Sequence, residues 1–345
     1  MTFKTVRSRA PLRLGLAGGG TDVSPYCDVY GGSVINATID RYAWTTITPN
    51  KVGRVNFCSA DLGVDCSFDI SENIEIKKPL LLHKAVYLEV MRKYDNGEKI
   101  PLTITTSCEA PMGSGLGASS TIVVSMIKAY AEFLNLALDD YELADFAVFV
   151  EREICNLQGG RQDQYAASFG GFNFIEFGKN KEVLVNSLRI KNWVINEFES
   201  SLLLYFTGVS RESANIIRDQ SENLSQNKEE ALNAMHKLKE DAFVMKRALL
   251  EGDFKKLVDC VNQSWMNKVK TSGRVSNERI SEIMDTAFAQ GALAGKVSGA
   301  GGGGFMWFIV PAERKIQIAR SLSNFGGLTS GCHFTKKGAE SWIVK

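Results

Sequence analysis

Histidine is scarce in this chain of 345 residues: His83, His236 and His333 are the only three, and they lie far apart. No histidine metal motif can be drawn from them. Cysteine is present but unpatterned, with seven residues and no Cys-x-x-Cys pair. That excludes a zinc ribbon or a disulfide framework and points to reduced thiols. An excess of charge of one sign is also missing. Forty Lys and Arg against 39 Asp and Glu leave a net charge of +1, so no nucleic-acid partner is expected. Long hydrophobic runs are absent: the longest compact stretch, Phe305–Val310, is stopped by Pro311, and no membrane span is expected. Near the N-terminus, Lys4, Arg7 and Arg9 precede an apolar run that Arg13 and then glycines interrupt. The expectation is therefore no signal peptide and a cytoplasmic location.

What is present is glycine in clusters. Pro111-Met112-Gly113-Ser114-Gly115-Leu116-Gly117-Ala118-Ser119-Ser120-Thr121 follows a strand-like run, Leu102–Thr106, and precedes Ile122, Val123, Met126, Ile127, Tyr130, Phe133 and Leu134 at helical spacing. A strand, glycine loop and helix start place backbone N–H groups and a positive helix end around one small volume, which suits phosphate. Glycine lets the backbone curl closely around the oxygens. Ser119 and Ser120 fall in the first helical turn, where a hydroxyl can reach a phosphate-bound Mg²⁺. Gly117 is followed by Ala118, so an ordinary Walker loop is excluded, and the dinucleotide fingerprint of a Rossmann oxidoreductase is missing as well. An unliganded strand-to-helix turn is the alternative for this loop alone. Two further clusters weaken it: Ala17-Gly18-Gly19-Gly20-Thr21-Asp22 and Ser298-Gly299-Ala300-Gly301-Gly302-Gly303-Gly304, each after a short strand-like run.

Length and a composition of 44% hydrophobic and 23% charged residues suggest two globular domains with ample cores. Strand-like alternation at Tyr42–Thr48 and Gly171–Phe177 is interleaved with helical spacing at Leu80–Tyr94, Ile122–Leu134 and Tyr141–Ile154. Gly178–Lys181 reads as a hinge or hairpin, which sets the expected domains at 1–178 and 179–345. The second half holds a strand at Leu202–Phe206 and four helical patterns between Ser213 and Gln290. Ser221–Glu230 reads as a solvated loop or helix start, and strands are expected at Gly304–Val310 and Gly331–Thr335. The fold class is α+β.

The three clusters, taken as Ala10-Pro11…Gly18-Gly19-Gly20, Pro111–Ser120 and Lys296–Gly304, resemble the signature motifs of the GHMP kinases in order, separation and composition. The resemblance spans essentially the whole chain. It implies a ribosomal-protein-S5-domain-2-like N-terminal domain, a ferredoxin-like C-terminal domain, and ATP with Mg²⁺ as cofactors. The ATP site would comprise Gly113, Ser114, Gly115, Leu116, Gly117, Ala118, Ser119 and Ser120. Within the family, Gly18–Asp22, Gly159–Tyr165 and Tyr205–Gly208 are most like the branch that phosphorylates a heptose 7-phosphate at its anomeric hydroxyl, for nucleotide-activated heptose and surface polysaccharide. A fucokinase- or galactokinase-like sugar 1-kinase and a non-catalytic sugar sensor on the same fold are the alternatives. Monomer and homodimer both stay open.

Single residues carry both readings. Asp163 is on its own either an N-capping residue or the group that receives the acceptor proton; the resemblance implies the second. Arg13 stands where many relatives have Lys, and a guanidinium can stabilise Asp163 and the migrating phosphoryl but cannot act as a base. Ser119 and Glu151 match the Mg²⁺ ligands. Twelve residues separate Glu151 from Asp163, one more than in mevalonate kinase, which leaves Glu153 as a rival. Asp22 is a turn residue or a sugar-binding aspartate, and the Gly19-Gly20-Thr21 backbone can serve sugar hydroxyls. Arg211, after Thr207-Gly208, is a surface helix residue or a holder of the remote phosphate. Gly301 and Gly302 belong to a loop expected to line the cleft, with a simple glycine hairpin as the alternative.

Overall fold

The computed structural model describes residues 3–208, 213–226 and 229–345. The N-terminal half runs β1 (Val6–Ala17), α1 (Tyr26–Tyr30), β2 (Gly32–Pro49), β3 (Arg54–Ser59), β4 (Val64–Asp69), α2 (Leu81–Tyr94), β5 (Leu102–Cys108), α3 (Ala118–Leu134), α4 (Asp140–Phe149), α5 (Gln162–Phe169), β6 (Phe172–Phe177) and β7 (Val183–Ser187). The C-terminal half runs α6 (Asn192–Ser201), β8 (Leu202–Phe206), α7 (Ser213–Ser225), α8 (Glu229–Glu251), α9 (Phe254–Val269), α10 (Glu278–Ala289), β9 (Ala294–Val297), β10 (Phe305–Ile309), α11 (Lys315–Ser323), β11 (Leu328–Ser330) and β12 (Glu340–Ile343).

Among the described residues the strands form two sheets. The larger has the order β12-β1-β2-β5-β3-β4, with β6 and β7 continuing from β2. The apolar face of α3 (Ile122, Val123, Met126, Ile127, Tyr130) is buried against this sheet together with α2, as its helical spacing requires. The smaller sheet is antiparallel with the order β11-β8-β10-β9. In chain order this is 4-1-3-2, with helices after its first and third strands, the arrangement of a split β-α-β unit. A shared core joins the two halves: Leu12, Leu14 and Leu16 of β1 pack in one cluster with Leu204, Met245 and Trp307. Burial of this extent fixes the cleft between them.

Several elements differ from the sequence reading. Gly178–Lys181 is the turn of the β6–β7 hairpin, one of its two sequence readings, whereas β12, for which no strand was expected, returns from the far end of the chain to pair with β1. The segment Gly331–Thr335 is no strand; only Phe334 bridges to Ile39, where the chain crosses β2. Ser221–Ser225 continues α7, because Ile216 and Leu224, eight positions apart, share an inward face despite the polar residues around them. The helix expected over Tyr141–Ile154 changes at Val150–Ile154 into a π turn. Among the described residues no helix is long and apolar enough to cross a membrane.

Candidate active site

Gly117 ends the glycine loop in the left-handed region, φ +81°, and caps α3 with no side-chain hydrogen bond. The first N–H groups of α3 therefore open toward a cleft of about 240 Å³ lined by Gly113, Gly115, Gly117, Ala118, Ser119 and Ser120. Ser114 and Leu116 face inward instead. Ser114 is fully buried and its carbonyl accepts from Phe305 N at 2.8 Å, while the carbonyl of Leu116 accepts from Arg13 N at 3.1 Å. These two residues anchor the loop rather than line it.

Arg13 reaches the same cleft from β1. A register shift between Pro11 and Arg13 interrupts the pairing with β2, and such irregularities re-aim side chains. Its Nε and Nη2 lie 2.7 and 2.6 Å from Asp163 Oδ1, and Nη1 donates to the Gly115 carbonyl at 2.7 Å. Asp163 sits in the first turn of α5, close against Gly117, where an added Cβ would lie 3.1 Å from the Asp163 carboxyl carbon. A Cβ on Gly115 would lie 2.4 Å from the Ser298 carbonyl oxygen. The glycines thus make room for Asp163 and for the third glycine cluster, as well as opening the loop.

Glu151 is buried on the π turn and lines the cleft, where burial raises its pKa. Ser119 Oγ donates to its Oε1 at 3.4 Å, and Gln164 Nε2 donates to its Oε2. Glu153 points to solvent and pairs with Lys181 at 3.5 Å, so it is not brought to the cleft. A π turn holds one residue more than an α turn, and this one lies at the start of the longer spacing between Glu151 and Asp163.

The acceptor-side expectations divide. Gly19, Gly20 and Asp22 line the cleft. Asp22 is almost fully buried, accepting from Gly20 N at 3.1 Å, Gln162 N at 3.1 Å and Gln162 Nε2 at 3.2 Å. It thereby caps the start of α5 from across the site. Thr21 turns inward, its hydroxyl within 2.8 and 2.9 Å of the Gly18 and Ser33 carbonyl oxygens that share its one proton. Gly299 and Ala300 line the cleft, but Gly301 and Gly302 do not. They pack on the segment before α10, with Gly302 N donating to the Val275 carbonyl at 2.7 Å and no room for a Cβ on Gly301. Arg211 lies outside the described residues.

Two lysines were not anticipated. Lys268 lines the cleft and donates to the Gly19 carbonyl at 2.9 Å; Lys296 donates to the Leu16 carbonyl at 3.1 Å. A signal for Lys268 exists in the sequence. Leu257, Val261, Ser264 and Lys268 share the buried face of α9, so helical spacing alone puts this cation on the inner side. Burial pushes the pKa of each lysine down to about 8, against the opposing pull of Asp22 on Lys268 and of Cys260 and Asp241 on Lys296. The folded state therefore holds these protons less firmly than the unfolded chain, and their contribution makes stability rise with pH from about 8 upward. Wild type is expected to gain stability relative to Lys296→Met between pH 7.5 and about 10, as urea unfolding at the two pH values would measure. A constant difference would show that Lys296 does not titrate in this range.

Comparison with known proteins agrees with this geometry. Residues 81–171 match the GHMP kinases N terminal domain and residues 245–328 the GHMP kinases C terminal domain. The chain is 44% identical over 342 residues to D-glycero-alpha-D-manno-heptose 7-phosphate kinase of Campylobacter jejuni, covering 99% of this chain and 100% of that protein. A crystal structure of a D-glycero-D-manno-heptose 1-phosphate kinase from Bacteroides thetaiotaomicron is 42% identical, with a TM-score of 0.83 over 99% of each chain. Mevalonate kinase of Methanococcus jannaschii shares the fold, with a TM-score of 0.75 at 20% identity over 97% of this chain and 99% of that one. An ion pair beside an uncapped helix, matched domains in both halves and relatives along the full length lead to one assignment: this chain is a kinase of the GHMP family.

Proposed function

We propose that the chain transfers the γ-phosphoryl group of ATP to the anomeric hydroxyl of D-glycero-D-manno-heptose 7-phosphate, giving the 1,7-bisphosphate and ADP. The observation that carries phosphoryl transfer is the Arg13–Asp163 pair beside the open first turn of α3. The choice of sugar rests on the full-length likeness to the Campylobacter jejuni protein. Backbone N–H groups among the cleft-lining residues Gly113, Gly115 and Gly117–Ser120 receive the phosphates of ATP. Asp163 accepts the anomeric proton as the new O–P bond forms and the bond to the leaving ADP breaks. Arg13 aims the Asp163 carboxylate without taking the proton itself. Gly19, Gly20 and Asp22 border the sugar.

Ser119 and Glu151 fit Mg²⁺: a hydroxyl and a buried carboxylate share one edge of the cleft. Among the described residues no cluster of three or more His, Cys, Asp or Glu could hold a metal by itself, which suits an ion held largely by phosphates and water. When bound, Mg²⁺ neutralises phosphate charge. We also assign the halves to the ribosomal-protein-S5-domain-2-like and ferredoxin-like classes, the second supported by its 4-1-3-2 sheet, and the working location to the cytoplasm.

The name of the Bacteroides thetaiotaomicron relative places the phosphate of a heptose at position 1 instead, so both isomers belong in the test. ATP consumption is measured against heptose 7-phosphate, heptose 1-phosphate, free heptose and free hexoses, with ³¹P NMR of the product. Turnover of the 7-phosphate with a new anomeric phosphate signal is expected. Equal turnover of free hexoses would overturn the sugar-phosphate assignment.

A further inference from the structure

Lys268 stands where α9 meets the first glycine cluster, and its place there is unusual for a lysine. The residue is only 6% exposed yet borders the cleft. An ammonium carries three donors, and among the described residues the Lys268 Nζ donates to the Gly19 carbonyl alone. No carboxylate of the described residues pairs with it. Asp22 is near enough to pull on its charge but directs both oxygens to Gly20 and Gln162. Arg13 is committed to Asp163 and Gly115.

A buried cation without a paired anion is costly unless a ligand supplies one. Gly19 and Gly20 leave the approach open. A Cβ on Gly20, at φ +105°, would lie 2.8 Å from the Lys268 ammonium, so a side chain there would press on the very group that faces the cleft. Gln220 and Ile217 of α7 complete this wall.

We propose that Lys268 binds the phosphate that the acceptor already carries, and so selects a phosphorylated sugar over its free counterpart. The inference rests on the heptose-phosphate reading and extends it by naming the residue that recognises the anion. Lys268 is a binding residue in this scheme. The proton transfer stays with Asp163.

The test is steady-state kinetics of the full chain with D-glycero-D-manno-heptose 7-phosphate and with the free heptose. Lys268→Gln keeps a donor for the Gly19 carbonyl and removes the charge; Lys268→Arg keeps the charge. In Lys268→Gln the KM for the heptose phosphate is expected to rise about 10-fold or more, as for a lost hydrogen bond to a charged group. The preference for the phosphorylated over the free sugar should fall by the same factor, and the KM for ATP should hold. Lys268→Arg should retain most of that preference. A merely structural role would weaken both sugars together and leave the preference intact, which overturns the proposal, as does an unchanged KM. Wild-type turnover with a flat response in Lys268→Gln removes Lys268 alone. Failure of wild type on every sugar phosphate removes the substrate reading, and this inference with it.

Discussion

Asp163→Asn is expected to lower kcat by about 10²-fold or more while ATP affinity stays near that of wild type. The substitution is nearly isosteric, and the Asn carbonyl oxygen can still accept from the Arg13 guanidinium that now lies 2.7 Å from Oδ1. Position is thus preserved, and what is lost is the charge and the capacity to take a proton. The start of α5 is held separately, through Asp22 and the Gln162 N–H, so the variant should fold. Turnover assays together with calorimetry of a nonhydrolysable ATP analogue separate the two effects. Near-wild-type kcat would mean that the acceptor hydroxyl loses its proton by another route. A parallel loss of nucleotide affinity would assign Asp163 to binding.

Gly115→Val is expected to weaken ATP binding by about 10-fold or more, on the basis of left-handed backbone strain and a steric clash together. At φ +85° a β-branched residue is disfavoured, and its Cβ would press on the Ser298 carbonyl oxygen, 2.4 Å away. The Gly115 carbonyl also accepts from Arg13 Nη1 and from Ser298 Oγ, each at 2.7 Å. Any shift of this residue therefore moves the phosphate loop, the docking of the C-terminal glycine cluster and the guanidinium that holds Asp163. Gly53→Val is the control. It carries similar strain, at φ +67°, but an added Cβ there meets nothing within 4 Å. The control should lose some stability and keep ATP affinity. Equal binding losses in the two variants would make the effect one of general stability and not of the loop.

The sequence by itself determined the parts that are local. The strand, glycine loop and helix around Gly117 are contiguous, and left-handed backbone with a bare helix start follows from residues that lie side by side. Asp163 and Glu151 were found through short motifs, and the cleft contains both. Periodicity identified the buried face of α3 and the strand at Leu202–Phe206 because an amphipathic pattern records which side is inward.

Only the tertiary structure decided what each inward side meets. Gly301 and Gly302 look the same as Gly299 in sequence, yet the Val275 backbone takes those two and the cleft takes Gly299. Asp22 reads as a turn residue or a sugar-binding aspartate, but only the fold shows that α5, 140 positions further on, claims its oxygens. The carbonyl of Gly19 and the ammonium of Lys268 are separated by 249 positions. Spacing could place Lys268 on the inner face of α9 but could not name its neighbour. The physical reason is range: dihedral preference and helical period act over a few residues, whereas the partner of a buried charge is fixed by how whole elements pack.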